Sequence, residues 1–292
     1  MKIKRILSAA GAVVILSAML TGCCASLKTA RVAGKFGSAL KSQPVTSATA
    51  EINCRISVSS QSDTTESRFH TVVRSRANWD ESRSYSEISS SFTSRDLQHE
   101  EQMQCYSNGE SGKQVRYVHM DGLDTWVRLE DQIRLVDIDP GLILLLLDKV
   151  SKDTTLEQKE SGTGGGESYL LKLTFAAEDI QQFAQTAGLN IPAEFLECDL
   201  KGVNIPLELE IEDKTFLPLS LKMELQGMNS SVVSALAKAF ARGKDAEQAD
   251  IEIQELSLLI TNFQYETQDI PMLPKGAAEN ALDMKKVKEI RN

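Results

Sequence analysis

Two neighbouring stretches, Leu207 to Glu212 and Leu219 to Gln226, alternate apolar and polar residues at every step. Leu207, Leu209 and Ile211 alternate with Glu208, Glu210 and Glu212. After a turn at Asp213 to Pro218, Leu219, Leu221, Met223 and Leu225 alternate with Ser220, Lys222, Glu224 and Gln226. Period two is the period of a β-strand, whose successive side chains point to opposite faces. One face of this hairpin is therefore apolar and the other wet. A two-stranded hairpin is marginal by itself, so the feature demands a larger antiparallel sheet with one face against a core.

The same period recurs along the chain. From Glu51, residues Ile52, Cys54, Ile56 and Val58 point one way and Asn53, Arg55, Ser57 and Ser59 the other. Arg68 to Trp79 and Arg83 to Phe92 are rich in Ser, Thr, Val and Arg and read as long exposed strands with weak apolar faces. Lys113 to Met120 and Thr125 to Leu129 flank an Asp121-Gly122 turn, with Trp126 packing just after it. Thr154 to Glu160 and Glu167 to Phe175 are joined by a glycine-rich tip at 162–166. A long strand runs from Ile251 to Glu266.

Helical spacing is brief and falls between these strands. Asp139-Pro140 reads as an N-cap followed by proline at the first helical position, opening an apolar run to Val150 that fits a short buried helix or a buried strand. Ile180, Phe183, Ala184 and Ala187 form one stripe, with Gly188 as its stop. Ser230 or Ser231 caps a helix through Val232, Val233, Leu236 and Phe240. Strand and helix do not alternate as a doubly wound parallel sheet requires. The fold class expected is α+β, a curved antiparallel sheet (an unclosed half-barrel) wrapped over a few short helices.

The N-terminus has its own logic. Lys2, Lys4 and Arg5 precede an apolar run of 15 residues, Ile6 to Leu20, which is shorter than the roughly 20 residues of a bilayer-spanning helix. Leu20-Thr21-Gly22-Cys23 then resembles the bacterial lipobox, which implies cleavage before Cys23 and attachment of palmitate-type acyl chains to it. Buried acyl methylenes contribute about 0.8 kcal/mol each, enough for two or three chains to hold a domain at a membrane. The expected organisation is a signal peptide over 1–22, a lipidated tether over 23–47, the sheet domain over 48–272 and a polar tail, helical or disordered, over 273–292. The tether is expected to be a short helix or linker that adds no core element.

Removing residues 1–22 takes three basic residues and no acidic one, leaving 29 against 41 and a formal charge of −12. That charge argues against nucleic acid as a partner. It also favours a domain that stands off from an anionic leaflet, since the two repel over roughly a Debye length. Cys24, Cys54, Cys105 and Cys198 match no zinc spacing, and an oxidising exterior would permit a bridge such as Cys54 to Cys105.

Here the chain resembles the LolA-like and LppX-like envelope lipoproteins and related lipoproteins of Gram-positive bacteria. The resemblance spans roughly residues 47–272 and rests on strand order, the Asp121-Gly122-Leu123-Asp124-Thr125-Trp126 turn and the closing hairpin and strand. It implies an unclosed barrel curled over helices with an apolar cavity between them. The candidate lining is Ile52, Ile56, Leu171, Leu173, Leu209, Leu221 and Met223 from the sheet, with Leu144 and Phe183 from the helices. Those side chains either fill the space or leave a slot for an acyl chain.

Catalytic signatures are lacking. His70, His99 and His119 have no spaced metal-ligating partners, and the hydrolase devices Gly-x-Ser-x-Gly and His-Glu-x-x-His do not occur. The glycine tip has no following Lys-Ser/Thr and is flanked by Glu160 and Glu167, so it does not suit phosphate. Glu208, Glu210 and Glu212 read as the solvated side of a sheet with Lys222 nearby. The function expected is non-enzymatic and needs no cofactor or metal: an extracytoplasmic lipoprotein, anchored through Cys23, that carries a lipid or amphiphile. The alternative is a solid-cored lipoprotein whose Ser- and Arg-rich outer face binds an envelope protein.

Overall fold

The computed structural model describes residues 27–43, 45–60, 63–95, 97–110, 113–122, 124–130, 154–160, 167–176, 204–224, 250–266 and 269–283. Cys23, Leu144, Phe183, the helices expected at 139–150, 178–187 and 230–243, and the glycine tip at 162–166 lie outside the described residues.

Helix α1 is Leu27–Lys41. The strands follow as β1 Val45–Ser60, β2 Asp63–Asn78, β3 Arg83–Ser94, β4 Leu97–Glu110, β5 Lys113–Met120, β6 Val127–Glu130, β7 Thr155–Glu160, β8 Glu167–Ala176, β9 Asn204–Glu212, β10 Pro218–Glu224, β11 Asp250–Gln264 and β12 Leu282–Asp283. A four-residue helix, α2 (Ala277–Asn280), precedes β12.

All twelve strands belong to one sheet, in the order β12-β6-β5-β4-β3-β2-β1-β11-β10-β9-β8-β7. Every pairing is antiparallel except the short parallel contact of β12 with β6. Strands β1 to β6 walk outward in one direction, β7 to β11 walk back, and the β1–β11 pairing joins the two meanders in the middle. The edges β12 and β7 do not meet, so the expected α+β unclosed half-barrel is what the chain forms.

Two glycines are dictated by geometry. Gly122 holds φ +85° in the Asp-Gly turn, a conformation that L side chains resist. Gly109 faces the turn at 79–82, where an added Cβ would lie 2.7 Å from Ser82 Cβ, while its amide donates to Ser82 O at 2.9 Å. In β11, Asn262 takes φ +56° where the β1 register slips between Ser47 and Thr49, a bulge at which Asn tolerates the left-handed region. A second slip, between Pro218 and Ser220, takes Leu219 out of register, so the alternation expected of Leu219 starts only at Leu221.

The main core lies between the sheet and α1. Val32, Phe36 and Leu40, spaced at i, i+4 and i+8, are buried with Leu171, Leu173, Leu207, Leu209, Ile211 and Leu221. Residues 27–41 are therefore a helix with a core face, which corrects the expectation of a segment adding no core element. Burying each of these side chains contributes roughly 1.5–3 kcal/mol. A second cluster forms on the opposite face from Tyr85, Tyr106, Val115 and Tyr117, against which Trp126, Ile270, Leu273 and Ala281 pack. Residues 270–281, expected in part to be a polar tail, thus strap the far side of the sheet.

Cys54 and Cys105 are not bridged to one another. They sit on β1 and β4 with β2 and β3 between them, a lateral gap of roughly 14 Å at about 4.8 Å per strand, far beyond disulfide reach. The bridge that an oxidising exterior would permit does not form.

Candidate functional site

The face of the sheet that carries α1, the inner face, changes character along its length. One row of directly opposed residues crosses nearly the whole sheet: Leu156 with Leu171, Leu171 with Leu209, Leu209 with Leu221, Leu221 with Ile260, and Ile260 with Ala50. It continues from Ala50 to Val73, Ile88, Met103 and Met120. Over β8 to β11 this row is covered by α1, and Leu171, Leu173, Leu209 and Leu221 are closed in the packed core. These four predicted lining residues are buried side chains of that core.

Toward the far ends of β1 to β4 the apolar residues rise out of the core. Ala50 is 6% exposed, Ile52 37%, Phe69 43% and Leu97 58%. Strand pairing places them together: Ile52 is opposite Leu258, which is opposite Met223; Cys54 is opposite Phe69, and Phe69 opposite Phe92. The Phe69 and Phe92 rings stack in a tilted pair with centroids 4.7 Å apart. Ile56 lies one row further, facing Ile253. The result is an apolar shelf continuous with the core. Among the predicted residues it includes Ile52, Ile56 and Met223, the last of which packs against the core as well.

Phe69, Phe92, Leu97 and Cys54 were not among the residues singled out from the sequence. The signal was present: counting outward from the turn at 79–82 pairs Asn78 with Arg83 and, nine residues further, Phe69 with Phe92. Hydroxyls alternate with these apolar rows and satisfy one another across strands. Ser67 Oγ donates to Ser94 Oγ at 2.9 Å, Thr71 and Ser90 hydroxyls are 3.1 Å apart, and Ser86 Oγ donates to Ser75 Oγ at 3.1 Å. A face that looked weakly apolar thus costs little to cover with hydrocarbon, because its polar groups already have partners.

On β4 the shelf is bordered by polar side chains, His99 opposite Phe92 and Glu101 opposite Ser90. Burial, and secondarily the Glu255 carboxylate, push the Cys54 thiol above its usual range, so it stays protonated and unreactive near neutral pH. His119 stacks near Trp126 at 4.9 Å, and His70 Nδ1 lies 2.7 Å from Asn53 Oδ1 on the opposite face, so both histidines serve packing or surface contacts. No group of three or more His, Cys, Asp or Glu side chains suited to a metal occurs among the described residues.

The other face holds the carboxylate row. Glu208 lies between Lys172 of β8 and Lys222 of β10, and Glu210 accepts from Ser168 Oγ at 2.8 Å. Lys172 also reaches Glu157 at 2.8 Å, which holds that carboxyl below its ordinary range and raises the ammonium. Charge pairing on a solvated strand face accounts for the row. Beside the aromatic cluster, a cavity of about 440 Å³ opens between Arg83, Tyr106, Asn108 and the strap at Ile270 and Leu273.

No protein-family model matches this chain, and no curated protein matches it. Among solved structures it is similar to a DUF1329 family protein from Desulfovibrio piger ATCC 29098, at 12% identity and TM-score 0.26, covering 85% of this chain and 94% of that one. It is also similar to a β-barrel-like protein of the domain of unknown function DUF1849 from Brucella abortus, at 7% identity and TM-score 0.25, covering 76% and 99%. Overlap this slight leaves the site to be read from the chain's own geometry.

Proposed function

We propose that this chain is a membrane-anchored envelope lipoprotein, acylated on Cys23, whose inner-face shelf binds the hydrocarbon part of a lipid or other amphiphile without covalent chemistry. The observation that carries this reading is the graded exposure from Ala50 through Ile52 and Phe69 to Leu97, an apolar surface continuous with the core. Isolated exposed apolar residues are ordinary, but a contiguous shelf with an aromatic pair marks a binding surface. Each methylene laid on it contributes about 0.8 kcal/mol, so a chain of ten or so would bind without any polar anchor. The leader and the Leu20-Thr21-Gly22-Cys23 motif support export and acylation.

Native mass spectrometry of the full chain carrying Cys23→Ser, purified from cells, tests the binding. Bound or exchangeable acyl species, lost on Phe69→Ser with Phe92→Ser, are the expected result. A chain that neither retains nor takes up an acyl ligand contradicts it. Metabolic labelling with an alkyne fatty acid separately tests the anchor, with label on the parent and none on the Cys23→Ser chain.

The interaction reading draws on a different place. Arg55 of β1 lies directly opposite Arg68 of β2 on the face away from α1, with exposed Arg74 and Arg76 further along β2. Glu66 pairs with Arg68 at 2.7 Å, and Glu255 and Glu87 stand opposite Arg55 and Arg74, so this stripe is a mixed-charge surface that suits a polar protein partner. Crosslinking in membranes, with and without Arg74→Glu and Arg76→Glu, reads out that contact.

A further inference from the structure

Helix α1 carries four basic residues, Lys28, Arg31, Lys35 and Lys41, and no acidic one, in a chain whose acidic residues outnumber its basic ones 41 to 32. Its buried face is spoken for by Val32, Phe36 and Leu40. All four basic residues and Ser38 are exposed, and Lys28, Arg31, Lys35 and Ser38 fall at the three- and four-residue spacing of one helix face. The positions are wrong for helix stability. The first turn has no acidic residue, and Lys28 and Arg31 sit toward the end where the helix dipole is itself positive. They do not form ion pairs along the helix either, since it offers no carboxylate.

The sheet fixes this charge in place. Lys28 donates to Gln158 Oε1 at 3.2 Å and its ammonium lies 5.7 Å from the Tyr169 ring centroid, while that of Lys35 lies 4.3 Å from the Phe216 ring centroid. These contacts hold the two lysines at the rim of the helix without neutralising them. Of the carboxylates of this end of the sheet, Glu157, Glu208, Glu210 and Glu224 stand on the opposite face, a sheet thickness away, while Glu167 shares the α1 face at the β8 edge, where it accepts from Gln158. The chain as a whole is acidic, yet every charged side chain of α1 is basic and exposed. The helix begins four residues after Cys23.

We propose that the exposed face of α1 is a membrane-docking surface that seats on anionic phospholipid headgroups, turning the inner-face end of the sheet toward the bilayer and its carboxylate face away. The positive end of the helix dipole adds to the attraction for phosphate. Basic residues beside an anionic leaflet act within roughly 8 Å at physiological salt, so four on one short helix outweigh carboxylates held behind the sheet. Net repulsion of the whole domain is thereby replaced by a preferred orientation. The docking needs no acyl group on Cys23, so it stands or falls separately from the anchor.

The test is flotation of the full chain carrying Cys23→Ser with phosphatidylglycerol-containing vesicles and with phosphatidylcholine vesicles, the leader being common to every sample. The expected result is preference for the anionic vesicles, reversed by salt, and a fall of roughly tenfold or more in their bound fraction on K28Q/R31Q/K35Q/K41Q. The arginine-for-lysine variant K28R/K35R/K41R should bind like the parent. Amine acetylation read by peptide mass spectrometry makes the same test on the unsubstituted helix. Anionic vesicles should shield Lys28, Lys35 and Lys41 and leave Lys172 and Lys222 reactive. Equal binding to both vesicle types, unchanged binding by the glutamine variant, or equal shielding of the two faces would overturn the proposal.

Discussion

The inner face of this sheet has two ends built from the same pattern. Over β8 to β11, alternate residues are large aliphatics closed under Val32, Phe36 and Leu40 of α1. Over the far ends of β1 to β4, the inner-facing Ile52, Ile56, Phe69, Phe92 and Leu97 are interleaved with polar residues and are exposed or half-buried. Between each apolar row runs a row of hydroxyls paired across strands. One end is closed by α1, and the other leaves apolar side chains exposed. Strand periodicity is the same in both. Among the described residues, what separates them is α1, which covers the first.

The comparison is broken most severely at the packed end. Phe36→Ala leaves a hole under α1 and should lower stability by about 3–5 kcal/mol, read as a fall in the urea midpoint at constant slope. Gly109→Ala attacks the point where β4 packs against the β2–β3 turn, where a Cβ would sit 2.7 Å from Ser82 Cβ, and should cost about 1–3 kcal/mol by the same measurement. At the shelf the cost should nearly vanish. Phe69→Ala removes one ring of an exposed pair and should change stability by about 1 kcal/mol or less, while weakening acyl-probe binding several-fold. A large stability loss at Phe69 with no effect on binding would make the shelf ordinary core.

A smaller effect comes from pH. Burial raises the Tyr265 hydroxyl well above its ordinary value while it donates to Pro218 O at 3.2 Å. Tyr85 is raised by burial and then by its hydrogen bond to Glu87. The unfolded tyrosines ionise near pH 10, before the folded ones, so the unfolded chain binds fewer protons there. Stability contributed by these groups is complete below that value and declines as pH rises above it. Tyr265→Phe should flatten the decline in an alkaline denaturation series.

Much of the fold was legible because alternation carries its own geometry. The hairpin Leu207 to Met223, the Asp121-Gly122 turn and the long strand from Ile251 were readable from apolar spacing and one glycine. The core face of helix α1 was not, because its three large core residues are scattered among Ala, Gly, Ser and Lys, and only the sheet opposite gives Phe36 something to bury against. The Cys54–Cys105 separation was hidden for a related reason. Both thiols share the inner face, but their distance depends on strand order, which residue parity does not encode. The shelf was half visible. Ile52 and Ile56 stood out as aliphatics, whereas Phe69 and Phe92 were masked by the serines and threonines around them and became a pair only through register.

Cys54 offers the most direct test of the shelf. It lies between Ile52 and Ile56 on β1, opposite Phe69, and is half-buried, while Cys105 on the same face is buried. Alkylation of the full chain at mildly alkaline pH, with and without a saturating single-chain amphiphile, followed by peptide mass spectrometry, reports on each thiol separately. If the shelf takes hydrocarbon, amphiphile should slow modification of Cys54 severalfold and leave Cys105 unchanged. Equal modification of Cys54 in both samples, under conditions where the amphiphile is bound elsewhere or not at all, would contradict the account.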